Sequence, residues 1–199
     1  RRTRFGPGPR PALPVGPRTG VRWSTTIARW DDGQLLCELA SPLWMPRHRP
    51  ARISDADLLA LVDDISDALR CDDTRPPKAA QDLWPMHGDL TPWNLRVDKA
   101  GQMALFDWEH AGWGPIHADL VRYCITSADG ADRFARLPAS VRAEAAEAIE
   151  HWRWVAKARA AQPAQTKWKQ ADRLNEMRRI DALTVLARNG SGQLSSVTR

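Results

Sequence analysis

The chain has 199 residues, 43% of them hydrophobic and ten of them Trp, which argues for one globular domain or one lobe of a larger enzyme. No apolar run approaches the roughly eighteen residues that a membrane span needs, and no signal-peptide core follows the basic stretch Arg1–Arg10. The net charge of +5 would suit nucleic acid, yet no zinc-finger, RNP or helix-turn-helix signature accompanies it, so a cytoplasmic protein with neither nucleic acid nor membrane as partner is expected.

Residues 1–20 alternate prolines (Pro7, Pro9, Pro11, Pro14, Pro17) with glycines and read as a linker or disordered arm. Gly6-Pro7-Gly8 is discounted as a phosphate loop, because proline removes the N–H donors such a loop needs. The chain opens on Arg1, which fits a fragment or a processed product. From Val21 to Leu39, β-branched and aromatic residues flank Asp31-Asp32-Gly33-Gln34, a β-hairpin pattern with Asp-Gly at the turn.

Pro42, Pro46 and Pro50 then interrupt the chain. Ser54 is an N-cap for a helix to Arg70, with Leu58, Leu61, Val62, Ile65 and Leu69 on its apolar face and Asp55, Asp57, Asp63, Asp64 and Asp67 on the other. Beyond the central stretch, two helices are predicted, Phe134–Gln162 and Thr166–Arg188, divided by Pro163 and ended by Asn189-Gly190. Ser140 with Glu144 suggests a helix start, and Ala143, Ala146, Ile149 and Trp152 or Trp154 form its apolar stripe. Residues 191–199 read as a flexible tail. Cys37, Cys71 and Cys124 show no CxxC spacing and read as isolated thiols.

Charge is unevenly spread. Residues 51–132 carry fifteen acids against seven basic residues, whereas both flanking segments are basic. An acidic middle suits a metal ion or a cationic small molecule.

Within it lies Met86-His87-Gly88-Asp89-Leu90-Thr91-Pro92-Trp93-Asn94, followed by Asp107-Trp108-Glu109. Leu95–Val97 and Met103–Phe106 alternate around a Gly-containing turn and predict a hairpin that brings Asn94 and Asp107 side by side. An amide oxygen and a carboxylate there are hard ligands of the kind Mg²⁺ takes alongside water and phosphate, and Glu109 could reach the same or a second ion. Asp89 is placed to accept a proton from, or to orient, a hydroxyl nucleophile. His87 reads as the residue that holds the loop.

His87-Gly88-Asp89-Leu90-x-x-x-Asn94, the hairpin and Asp107-Trp108-Glu109 resemble the signature of the aminoglycoside phosphotransferase and choline kinase-like family, relatives of the protein kinases. The resemblance covers residues 84–124 strongly and 21–83 weakly. It implies an α+β fold: a mostly helical C-terminal catalytic lobe over 41–190 with a short catalytic hairpin, preceded by a remnant nucleotide-lobe hairpin over 21–40. It implies ATP with Mg²⁺ and a small-molecule hydroxyl acceptor, with Glu38, Leu39 and Ala40 near the hinge that contacts adenine. Gly114–Leu120 resembles the family's turn into a helix, with Asp119 as its cap.

One departure stands out. The family's strand-borne lysine and its partner glutamate are missing: Lys78, in a Pro-containing loop, and Glu38 are the single Lys and Glu before His87. A truncated or degenerate kinase is therefore expected. Three readings follow: an ATP-dependent O-phosphotransferase, a non-catalytic kinase-like scaffold, and a metal-dependent hydrolase in which His110 or His117 joins His87 and Asp89.

Overall fold

A computed structural model of the chain describes residues 22–23, 26–31, 34–38, 49–50, 52–69, 82–97, 103–105, 107–162 and 167–194. The expected arm 1–20 and the loop Asp72–Gln81 lie outside the described residues, as do Cys37 and Cys71 as side chains.

The first hairpin forms as its turn chemistry dictates. Strand β2 (Thr26–Asp31) pairs antiparallel with β3 (Gln34–Glu38), and Asp31 opposite Gln34 leaves two residues, Asp32 and Gly33, between them. The residues before it do not extend that arm. Strand β1 (Arg22–Trp23) instead adds in parallel to β7 (Met103–Leu105), whose edge away from β6 (Leu95–Val97) would otherwise be unpaired. Strand β4 (Arg49–Pro50) closes the other side of β6, giving the order β1-β7-β6-β4, and Pro50 sits at an edge, where a missing N–H is tolerated.

Helix α1 (Asp55–Leu69) starts where the cap predicts: the Ser54 hydroxyl accepts the Asp57 N–H at 3.1 Å and donates to its carboxylate at 2.7 Å. Leu58, Leu61, Ile65 and Leu69 are buried as expected. Asp64 corrects the expected acidic face, because it too is fully buried. It lies three residues after Leu61, on the helix side that faces inward. A third pairing joins β5 (Trp84–Met86) to β8 (Gly112–Gly114), and the Ser66 hydroxyl of α1 donates to the Pro85 carbonyl at 3.0 Å.

Helix α2 (Ala118–Thr126) is buried from Ala118 through Ile125 and forms the centre of the helical part. The expected single helix 134–162 is three: α3 (Gly130–Arg136), α4 (Ala139–Glu144) and α5 (Ala146–Ala161). Leu137 is extended because Pro138 follows it, and a residue before proline avoids the helical region. Ser140 accordingly lies inside α4. Helix α6 (Lys167–Leu194) runs through Asn189-Gly190 and four residues into the expected tail. A helical glycine costs about 1 kcal/mol, which a long helix absorbs.

Of the two candidate tryptophans on α5, Trp152 joins the core and Trp154 stays 69% exposed. Helix α6 packs on α4 and α5, and the core of Leu90, Leu95, Leu105, Trp108, Leu120, Ile125, Phe134 and Ile149 runs directly beneath the motif. The fold is therefore α+β and mostly helical, as the patterns imply. No described helix is long and apolar enough to cross a membrane.

Candidate active site

The site begins with a chain reversal that only a few backbone shapes allow. Strand β5 delivers His87, and Gly88 follows with φ +79°. A Cβ there would lie 2.0 Å from the carbonyl oxygen of His110, so the two backbones meet at a distance that only glycine permits.

The loop is fixed from inside by Asp119. Its fully buried carboxylate accepts the His87 N–H at 2.6 Å and the Gly88 N–H at 2.9 Å. The expectation of a helix cap is corrected. His117 occupies the cap position of α2, and Asp119, the second residue of the helix, faces the loop instead. His87 is equally buried: its Nδ1 accepts the Asp89 N–H at 3.2 Å and its ring meets Trp108 edge-on at 4.5 Å. These contacts tie its ring to the loop and to the core.

Thr91, which the sequence reading passed over, closes the next turn. Its carbonyl accepts the N–H groups of Asn94 and Leu95, and its hydroxyl lies 3.3 Å from the Asn94 nitrogen. Asn94 is thereby aimed back at Asp89: Nδ2 donates to the Asp89 carbonyl at 3.0 Å and to Oδ2 at 3.1 Å. This fixes the amide's orientation and leaves Oδ1 as the atom for a ligand.

On its other side, Asp89 Oδ1 accepts from Arg122 at 2.9 Å, and the same guanidinium reaches Glu176 of α6 at 2.7 Å. Neither Arg122 nor Glu176 was found from sequence. Arg122 stands three residues after Asp119, hence on the same side of α2, and that spacing is the signal that could have found it.

The hairpin of β6 and β7 forms with a register one residue off the expected one. Leu95 pairs with Leu105 and Val97 with Met103, so the turn centres on residue 100, and Asn94 falls one residue short of Asp107. Pairing Leu95 with Leu105 puts two fully buried leucines on one face; a slip of one would turn one of them outward. Asp107 is exposed and left-handed, with φ 67° and ψ 60°, a conformation that is uncommon outside glycine and that aspartate tolerates better than most residues. It leads into a 3-10 turn, Trp108–His110, against which β3 lies.

Glu38 ends β3 opposite Thr26. Its side chain, that of Glu109, and Leu39 and Ala40 entirely lie outside the described residues.

Between the motif and α6 is a cavity of about 450 Å³ lined by Trp93, Arg122, Thr126, Asp172, Asn175 and Glu176, among others. Trp93 is 48% exposed there. A second cavity, of about 370 Å³, lies between α1, β5 and the start of α2, and neither Asp89 nor Asn94 lines either cavity. Among the described residues, no three His, Cys, Asp or Glu side chains gather as metal ligands. His117 pairs instead with Glu144 at 3.2 Å, so the ligand set of the hydrolase reading is not assembled.

Burial pushes the Asp119 carboxyl up to about 6, against the pull of the two N–H donors. Between its ordinary value of 3.8 and about 6, the folded chain binds the proton and the unfolded chain does not. Stability from this group is thus full below the lower value and lost as pH rises through the upper, by roughly 3 kcal/mol at most. Asp119→Asn is expected to flatten that part of the denaturation-versus-pH curve. An unaltered slope between pH 4 and 6 would assign it to other groups.

Residues 25–157 match the model of the phosphotransferase enzyme family. No curated protein and no solved structure matches the chain.

Proposed function

Because the chain belongs to the phosphotransferase enzyme family, we propose that it transfers the γ-phosphoryl group of ATP to a hydroxyl of a small molecule. The observation that carries this reading is the clamping of Asp89 between Asn94 and Arg122, whose guanidinium in turn lines the cavity under α6. A carboxylate held on both sides can orient a hydroxyl and take its proton as the phosphoryl group arrives.

Magnesium fits this donor set. Asn94 offers Oδ1 from a buried amide and Asp107 a carboxylate from an exposed turn, two hard oxygens that suit an ion that keeps its other positions for water and phosphate. That ion would neutralise charge on the phosphates. The protein-kinase-like lobe assignment belongs to the same proposal: β2 and β3 would be the nucleotide side, α2 to α6 the acceptor side, with adenine near Glu38, Leu39 and Ala40.

The cavity suggests what kind of acceptor. Asp172 and Glu176 border it beside Arg122 and Arg179, and Trp93 offers an aromatic face. Together they suit an amino-alcohol or amino-sugar, whose ammonium can meet the acids or the indole.

One feature of this chain favours a second reading, a kinase-like binding protein. Neither β2 nor β3 carries a lysine to hold the α- and β-phosphates. Thermal melting decides between them. With ATP and Mg²⁺ at a hundredfold excess over Kd, the phosphotransferase should gain about 2.7 kcal/mol, several degrees of Tm. Phosphate should then pass from labelled ATP to one of an aminoglycoside, choline, ethanolamine or a neutral sugar. No shift and no transfer would leave the binding protein as the better account.

A further inference from the structure

Arg122 is 7% exposed, and every part of its guanidinium is engaged. Nε and one terminal nitrogen each lie 2.9 Å from Oδ1 of Asp89, and the other terminal nitrogen lies 2.7 Å from Oε1 of Glu176, fifty-four residues along the chain. The guanidinium carbon sits 5.0 Å from the centre of the Trp152 ring. Trp152 is itself fixed, its indole N–H donating to the Ala118 carbonyl at 2.7 Å. A planar fork clamped on three sides has one orientation, and it passes that orientation to Asp89.

Glu176 answers unequally. Oε1 receives Arg122 and lies 3.7 Å from Arg159, while Oε2 accepts no hydrogen bond among the described residues. Glu176 also borders the cavity. A carboxylate in that position can accept a hydrogen bond from a ligand without releasing the arginine it holds.

Building on the phosphotransferase reading, we propose that Arg122 is a positioning residue that sets Asp89, and that Glu176 binds the acceptor with Oε2 while holding Arg122 with Oε1. The acceptor group it takes is a donor, an ammonium or a hydroxyl. Occupancy of the cavity and alignment of the base then share one carboxylate. Without Arg122, Asp89 keeps a single side-chain partner, Asn94, and can swing about both its torsions.

Substitution separates these roles from simple packing. Arg122→Lys retains the charge, but one ammonium cannot span both carboxylates, so kcat should fall about a hundredfold, as for a base misplaced by an ångström, with KM little changed. Glu176→Gln still offers Arg122 an oxygen. It should cost less in kcat and raise KM about tenfold for a cationic acceptor, through lost charge-assisted hydrogen bonding, while sparing a neutral one. A purely structural Arg122 would lower Tm and leave kcat per folded molecule alone, and that result would overturn the proposal.

Should Arg122→Lys not fold, Glu176→Gln carries the test. Should the parent chain transfer phosphate to none of the acceptors, the phosphotransferase reading fails and nuclear magnetic resonance of the full chain decides the coupling. The Arg122 Nε–H signal should move in Asp89→Ala and in Glu176→Gln, and should respond to added kanamycin in the parent but not in Glu176→Gln. A signal indifferent to Glu176→Gln and to kanamycin would end the proposal.

Discussion

Asp89→Ala should reduce phosphate transfer by about a hundredfold to ten-thousandfold, the usual contribution of a positioned proton acceptor. The reduction should fall on kcat, because among the described residues no other carboxylate shares its two clamps. Asp119 is turned inward to the His87 and Gly88 N–H groups, and Glu176 is held across Arg122 from the loop. Alanine is the cleaner replacement. Asparagine would have to turn its NH₂ toward either Asn94 Nδ2 or Arg122, setting donor against donor.

The cost in stability is bounded by the same contacts. Arg122 loses Asp89 but keeps Glu176, so the buried guanidinium is not left without a counter-charge. The loss should stay near the 1–3 kcal/mol of an unmade buried hydrogen bond, below the 3–5 kcal/mol of an isolated buried charge. A folded Asp89→Ala protein with parental kcat would remove Asp89 from the chemistry.

Local rules make much of this site legible in the sequence. Asp-Gly between alternating strands predicted the β2–β3 pairing, Ser54 with Asp57 predicted the start of α1, and Gly88 beside Asp89 predicted a tight loop. Each depends on contacts within a few residues. What escaped were contacts across many: β1 adding to β7, Asp119 reaching back to residues 87 and 88, and Arg122 joining Asp89 to α6. A sequence states that Arg122 is charged, not which acids will surround it.

The β6–β7 hairpin shows the limit most clearly. Counting residues about a turn gives a centre, but the register is decided by which pair of leucines the core accepts, and one residue of difference moves Asp107 past Asn94. Asp64 teaches the same lesson on a helix, where position outweighed polarity.

Gly88→Ala is expected to be the most damaging single substitution in the loop. Two costs add there. An alanine at φ +79° pays about 1–2 kcal/mol for the left-handed region alone. Its Cβ would also lie 2.0 Å from the His110 oxygen and 2.7 Å from that carbonyl carbon. Both are backbone atoms, which no rotamer change can move.

Gly114 supplies the contrast on the neighbouring strand. A Cβ there would lie 2.5 Å from the Met86 sulfur, the far part of a flexible side chain that can swing aside. Gly114→Ala should therefore melt within a few degrees of the parent. Gly88→Ala should either fail to fold or separate the loop from His110. In the second case the His87 and Gly88 amides would lose Asp119, and Asp89, one residue on, would lose its alignment to Arg122 and Asn94.

Amide hydrogen exchange distinguishes the two outcomes from a tolerated change. Faster exchange at His87, Gly88 and Asp89 with an intact α2 would mark a displaced loop. Parental protection at all three would mean that the His110 carbonyl yields, and that the rigidity ascribed to this reversal belongs elsewhere.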